Sequence, residues 1–81
     1  MNNKERYNAT FCEVFDIPEE RLPGLNYQDI EAWDSVGHMT LIAQLEEIFE
    51  ITMNTEDILD FSSYERGMEI ISEKYGVSFE Q

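Results

Sequence analysis

The sequence predicts an all-α fold, a small four-helix bundle with three longer helices, one short third helix and a long loop between the first two. Two observations carry that prediction. Apolar residues recur at three- and four-residue spacing in separate stretches, the period of one face of a helix. Cap-forming residues stand ahead of these stretches, and Gly or Pro stands behind them. The chain has 81 residues and shows no internal repeat, low-complexity run or composition shift, so one domain spanning 1–81 is expected.

The first helix is expected over residues 2 to 15. Asn2 followed by Glu5 fits a capping pattern, and Tyr7, Phe11, Val14 and Phe15 recur at helical spacing. Asp16-Ile17-Pro18 ends it, because proline biases the residue before it toward extended backbone. Residues 16 to 33 then form a long connection turned at Pro23-Gly24. A loop of that length in so small a domain is expected to be functional or self-packed, and Leu22, Leu25, Tyr27, Ile30 and Trp33 supply the packing.

The second helix is expected from Ser35 to about Glu50. Val36, Met39, Ile42, Leu45 and Phe49 form its apolar stripe, Ala43 lies beside it, and Leu41 and Ile48 widen it. A short extended piece covers Ile51 to Met53. Asn54 or Thr55 then caps a short helix with Glu56 and Asp57 in its first turn, where acids meet the positive end of the helix dipole. Ile58, Leu59 and Phe61 form its apolar side. Ser62 with Glu65 reads as a capping box opening a last helix through about Tyr75, periodic in Met68, Ile71 and Tyr75 with Ile70 alongside. Gly76 stops it.

Charge narrows the partners. Eighteen acidic residues stand against five basic ones, a net charge of −13. Nucleic acid is excluded as a partner, since binding it requires Lys and Arg to displace counterions, and an anionic membrane surface is disfavoured for the same reason. The expected partners are proteins with basic patches. Cys12 is the lone cysteine, so it is expected to be a small buried hydrophobe in a reducing compartment. One His and one Cys far apart make no zinc site, and the acids lack the spacing of a calcium loop. Without a signal peptide or membrane span in view, a soluble, cytoplasmic monomer is expected.

The stretch that stands out is Trp33-Asp34-Ser35-Val36-Gly37-His38-Met39. Asp34 or Ser35 suits a helix cap. A Ser35–His38 nucleophile pair is conceivable at three-residue spacing, but no G-x-S-x-G elbow or oxyanion loop accompanies it. Attachment of a group is the third reading. Another enzyme can reach a serine at an exposed helix start, and a phosphodiester there meets unpaired amides and the dipole's positive end. Gly37 either permits close approach of an enzyme or of the attached group itself, or is a tolerated first-turn glycine.

These residues also resemble a family. Trp33-Asp34-Ser35-Val36 through Leu41, followed by Leu45-Glu46-Glu47-Ile48-Phe49, is similar to the D-S-[LIVM] core and the L-x-x-x-L-E-x-x-F run of the acyl carrier proteins. The order of helices and loop extends the resemblance over most of the chain. It implies a non-enzymatic carrier in which Ser35 bears a 4′-phosphopantetheine arm, donated from coenzyme A by a phosphopantetheinyl transferase that recognises Asp34. It implies cargo held as an acyl or aminoacyl thioester, with Val36, Met39, Glu46, Glu47, Glu50, Glu56 and Asp57 facing basic patches on loading and transfer enzymes. Met39 is weighted more toward the core. Gly37 and Thr40 stand where carriers of fatty-acid synthesis commonly place acids, so the resemblance is to stand-alone carriers of specialised pathways. The competing reading is an unmodified acidic adaptor binding a basic protein.

Overall fold

A computed structural model describes residues 1–79. Among them run α1 (Asn3–Phe15), a short 3-10 turn (Glu19–Arg21), α2 (Ser35–Phe49), α3 (Thr55–Asp60) and α4 (Tyr64–Tyr75). The fold is the expected small all-α bundle. α1 packs against α2 and α3 against α4.

Cap chemistry sets the boundaries. Asn2 and Glu5 form a reciprocal capping box, the Glu5 amide donating to Asn2 Oδ1 at 2.8 Å and the Asn2 amide to Glu5 Oε1 at 3.0 Å. Three helices end on left-handed residues: Asp16 (φ 56°), Glu50 (φ 56°) and Gly76 (φ 73°). α1 therefore stops through its own C-cap, two residues ahead of Pro18. The start of α4 corrects the expected capping box. Ser63, not Ser62, is the N-cap and accepts the Arg66 amide at 2.9 Å. Glu65 reaches away from the helix start to accept the Gly24 amide at 2.9 Å.

The core is aromatic. Trp33, Tyr7, Phe11 and Phe61 are its largest fully buried side chains. Phe11 stacks on Phe61 and meets Trp33 and Tyr64 edge-on, while Phe15 stacks on Trp33. Burial pushes the Tyr7 hydroxyl well above its usual titration range, and it donates to the Tyr64 carbonyl at 2.7 Å. The Phe61 ring lies so close to α4 that a Cβ on Gly67 would stand 2.1 Å from Phe61 Cζ.

The long loop is pinned rather than slack. Leu22, Leu25 and Trp33 are buried as expected, with Tyr27 and Ile30 half-buried. Tyr27 N–H donates to the Ser62 carbonyl and Tyr64 N–H to the Leu25 carbonyl, framing an antiparallel bridge between Asn26 and Ser63. The loop thus spans the α3–α4 junction and returns to the start of α2.

Two apolar expectations are corrected. Leu41, Ile42 and Leu45 are the buried residues of α2, whereas Val36 is 74% and Met39 53% exposed. Ile42 and Leu45 of the expected stripe are buried, but at its N-terminal half the buried face turns from Val36 and Met39 toward His38 and Leu41, where Trp33 of the loop bonds His38 and α1 packs on α2. Leu59 is also solvent-facing, at 78% exposure. The short α3 buries Asp57 instead.

Candidate functional site

The site is built at the start of α2. Asp34 is the N-cap, its Oδ1 accepting the Gly37 amide at 2.8 Å. The first intrahelical bond runs from the His38 amide to the Asp34 carbonyl at 2.8 Å. Ser35 is the first helical residue and is exposed. Its amide and that of Val36 precede any intrahelical acceptor, so they point out with the positive end of the dipole. The first turn itself holds no carboxylate, so the charge set against that positive end beside the hydroxyl comes from the Asp34 cap.

Two neighbours of Ser35 hold this start in place. The Ala32 carbonyl passes so near Gly37 that a Cβ there would sit 1.9 Å from the oxygen, with Phe15 Cε1 at 3.3 Å. Gly37 is thus where the loop backbone and α1 close on α2, an intramolecular approach that neither expectation for this glycine described. His38 turns inward. Its Nδ1 accepts the Trp33 indole N–H at 2.9 Å, and its Nε2 donates to the Ile58 carbonyl at 2.8 Å. Because an indole N–H can only donate and a carbonyl can only accept, the partners select the Nε2–H tautomer. Both ring nitrogens are taken, so His38 is not a base for Ser35.

Around Ser35 the surface is apolar. Val36, Met39, Thr40 and Ala43 border an open groove on the outer face of α2 that begins at Ser35. On the other side a cavity of about 260 Å³ lies between α2, α3 and the loop, lined by Ser35, Tyr27, His38, Met39, Ile58 and Leu59 with Phe61 and Ser62. Sequence reasoning missed Tyr27 and Leu59 as site residues and weighed His38 there only as a partner of Ser35 in catalysis. For Leu59 the six-residue length of α3 was the available signal, since so short a helix cannot bury a full apolar side.

The acids divide. Glu47, Glu50 and Glu56 are exposed. Glu46 is half-buried and its Oε2 accepts the Met53 amide at 2.9 Å, bracing the α2–α3 connection. Asp57 must be withdrawn from the expected partner surface: it is 1% exposed. Lys74 Nζ donates to its Oδ1 at 2.8 Å and the Tyr75 hydroxyl to its Oδ2 at 2.6 Å. Those bonds, that from Lys74 foremost, hold its carboxyl below the usual carboxylate range. The Tyr75 oxygen in turn accepts the Asn54 amide at 3.0 Å, so this network fastens α3 to α4. Cys12 is half-buried, and burial followed by Glu19 and Glu20 pushes its thiol up, away from the reactive thiolate.

The described residues hold no grouping of His, Cys, Asp and Glu that could bind a metal ion, and no helix long and apolar enough to cross a membrane. In comparisons with known proteins, a family model described as phosphopantetheine attachment site matches residues 9–66, well over half of the chain and inclusive of every residue around Ser35. No curated protein and no solved structure matches significantly.

Proposed function

The chain belongs to the phosphopantetheine attachment-site family and is a carrier protein, and on that premise we propose that Ser35 is the residue that bears the arm. The observation that carries this is the exposed Ser35 hydroxyl at an Asp34-capped helix start without a first-turn acid. A phosphodiester fits there, since the free first-turn amides and the dipole favour negative charge. In the attachment step the Ser35 oxygen bonds to the phosphorus of the pantetheine phosphate of coenzyme A. The bond from that phosphorus to the adenosine bisphosphate breaks, and the hydroxyl proton passes to a base of the transferase. The arm, once attached, supplies a terminal thiol that holds an acyl or aminoacyl cargo as a thioester.

The chain's own part is presentation. Asp34 fixes the helix start and gives the transferase an acid to recognise. Gly37 and His38 hold that start against the loop and α3, so the hydroxyl is offered in one orientation without catalytic help from this chain. Val36 and Met39 supply an exposed apolar contact on the outer face of α2. Glu47, Glu50 and Glu56 surround it with negative charge suited to steering basic partners. A specialised biosynthetic pathway in the cytoplasm is the setting we propose. The departures at Gly37 and Thr40 support it, and Gly37 here serves packing against Ala32 and Phe15 rather than charge.

The test is intact mass spectrometry after incubation with coenzyme A and a broad-specificity phosphopantetheinyl transferase. The wild-type chain should gain the mass of one phosphopantetheine group, and Ser35→Ala should gain none. A Ser35→Ala variant that is still modified refutes the assignment.

A further inference from the structure

The least expected feature near the site is the bridge from Trp33 through His38 to Ile58. It joins the loop, α2 and α3 through one imidazole. The ring stacks on Trp33 at an interplanar angle of 17° and meets Tyr27 and Phe61 edge-on, at centroid distances of 5.4 and 5.7 Å. Behind it the space is occupied: Trp33 is 0%, Phe11 0% and Phe61 1% exposed, and these rings pack on one another. In front of it lies the cavity that Ser35 borders. At about 260 Å³ it falls below the roughly 300–1,000 Å³ of pockets that bury a drug-sized ligand. The imidazole is therefore the floor of the cavity and the lock of the α2–α3 seam.

We propose that the Trp33–His38–Ile58 bridge is a specificity device: it closes the bundle interior to whatever Ser35 carries and leaves only the shallow apolar cavity beside it. The occupant is the covalently attached group itself, namely the near end of the arm or a short, compact acyl group. A long alkyl chain finds no route between α2 and α3. Entry would require the Ile58 carbonyl and the Trp33 indole N–H to lose their partners inside an apolar site, and an unpaired buried polar group is costly. It would also require displacing close-packed rings, which interiors tolerate poorly. His38 acts here as a positioning residue, through α3 and Trp33.

This inference rests on Ser35 as the attachment point, but its test does not need a transferase. In a Cys12→Ala, Ser35→Cys chain the introduced thiolate attacks the sulfenyl sulfur of an alkyl methanethiosulfonate. A disulfide to the alkyl chain forms and methanesulfinate leaves. Butyl and decyl chains are installed in this way, and amide 1H–15N shifts are compared with those of the unalkylated protein. Both chains should move the amides of Tyr27, Met39, Leu59 and Ser62, while Phe11, Leu45 and Ile71 stay in place for decyl as for butyl. Adding His38→Ala should let decyl, but not butyl, shift the interior set. Ring 15N shifts should show a protonated Nε2 and an unprotonated Nδ1, and the Nε2 proton should be protected from solvent exchange by the Ile58 carbonyl, which the freely exchanging proton of a loosely packed surface histidine is not. Interior shifts with decyl while His38 is present overturn the proposal, as does the opposite tautomer or a His38→Ala variant that behaves like its parent. A wild-type chain that gains no mass from coenzyme A overturns the function of Ser35 instead and leaves this result standing.

Discussion

The starts of α2 and α3 are built alike and used differently. Each has an Asx cap accepting the amide three residues on, Asp34 from Gly37 at 2.8 Å and Asn54 from Asp57 at 2.9 Å. Each then opens on an exposed hydroxyl, Ser35 and Thr55, but at α2 the first turn holds no acid. At α3 the first turn holds Glu56 and Asp57, and Asp57 is drawn inward by Lys74 and Tyr75. The α2 start thus sets the Asp34 cap alone against the dipole, while the α3 start sets two acids beyond a neutral Asn54 cap. Capping therefore makes a helix start, while what surrounds the cap decides whether that start is offered outward or consumed within the fold.

The largest effect that sharpens this contrast is chemical. Ser35→Ala should abolish attachment completely by intact mass while changing unfolding free energy by no more than about 0.5 kcal/mol, as expected for an exposed side chain that makes no special contact. Next is Gly37→Ala, which breaks the α2 end by forcing a methyl onto the Ala32 carbonyl and Phe15. Backbone cannot swing aside as a flexible side chain can, so the cost should be about 3 kcal/mol, the upper part of the overpacking range. Urea unfolding would show it as a lower midpoint at an unchanged slope, and an unchanged midpoint would contradict the close approach.

The α3 end breaks through Asp57→Asn, which should lower the thermal midpoint at neutral pH. Its pH dependence has a definite sign. The folded carboxyl is held below its usual value by Lys74 and then Tyr75, so the folded state favours the ionised form. That stabilisation is fully present above the unfolded value of about 3.9 and is lost as pH falls through the lower folded value. The stability gap between wild type and Asp57→Asn should therefore be constant from pH 7 to about pH 5 and shrink below roughly pH 4. A gap that widens on acidification would exclude the ion pair as its source. Smallest are the exposed acids. Glu47→Gln and Glu56→Gln should each slow association with a basic partner about two- to threefold at low salt, and little in high salt, where screening is strong. Stopped-flow association rates across ionic strength would measure this.

How much was legible follows from the range of each interaction. Asn2 with Glu5, Asp34 with Gly37 and Asn54 with Asp57 are contacts three residues apart, and such contacts appear in sequence as cap patterns. The α4 cap was misplaced by one residue because Glu65 looked like the partner of Ser62. Its carboxylate in fact meets Gly24, 41 positions earlier, and no local pattern announces that. The same holds for Lys74 with Asp57, 17 positions apart, and for His38 with Ile58, 20 apart. Met39 fitted an apolar stripe by spacing alone, but several overlapping stripes share that spacing. Only the placement of α1 and the loop chose the one to bury.

By itself, then, the sequence determined the helices, the α1 capping box and an aspartate–serine pair at a helix start, because backbone hydrogen bonding and periodicity act over three or four residues. Only the tertiary structure decided that Gly37 is a contact with Ala32 and Phe15, that His38 seals the seam beside Ser35, and that Asp57 serves α4 rather than a partner. Those roles depend on which distant backbone or side chain arrives within about 3 Å, the range of a hydrogen bond, and that is set by the packing of the whole bundle.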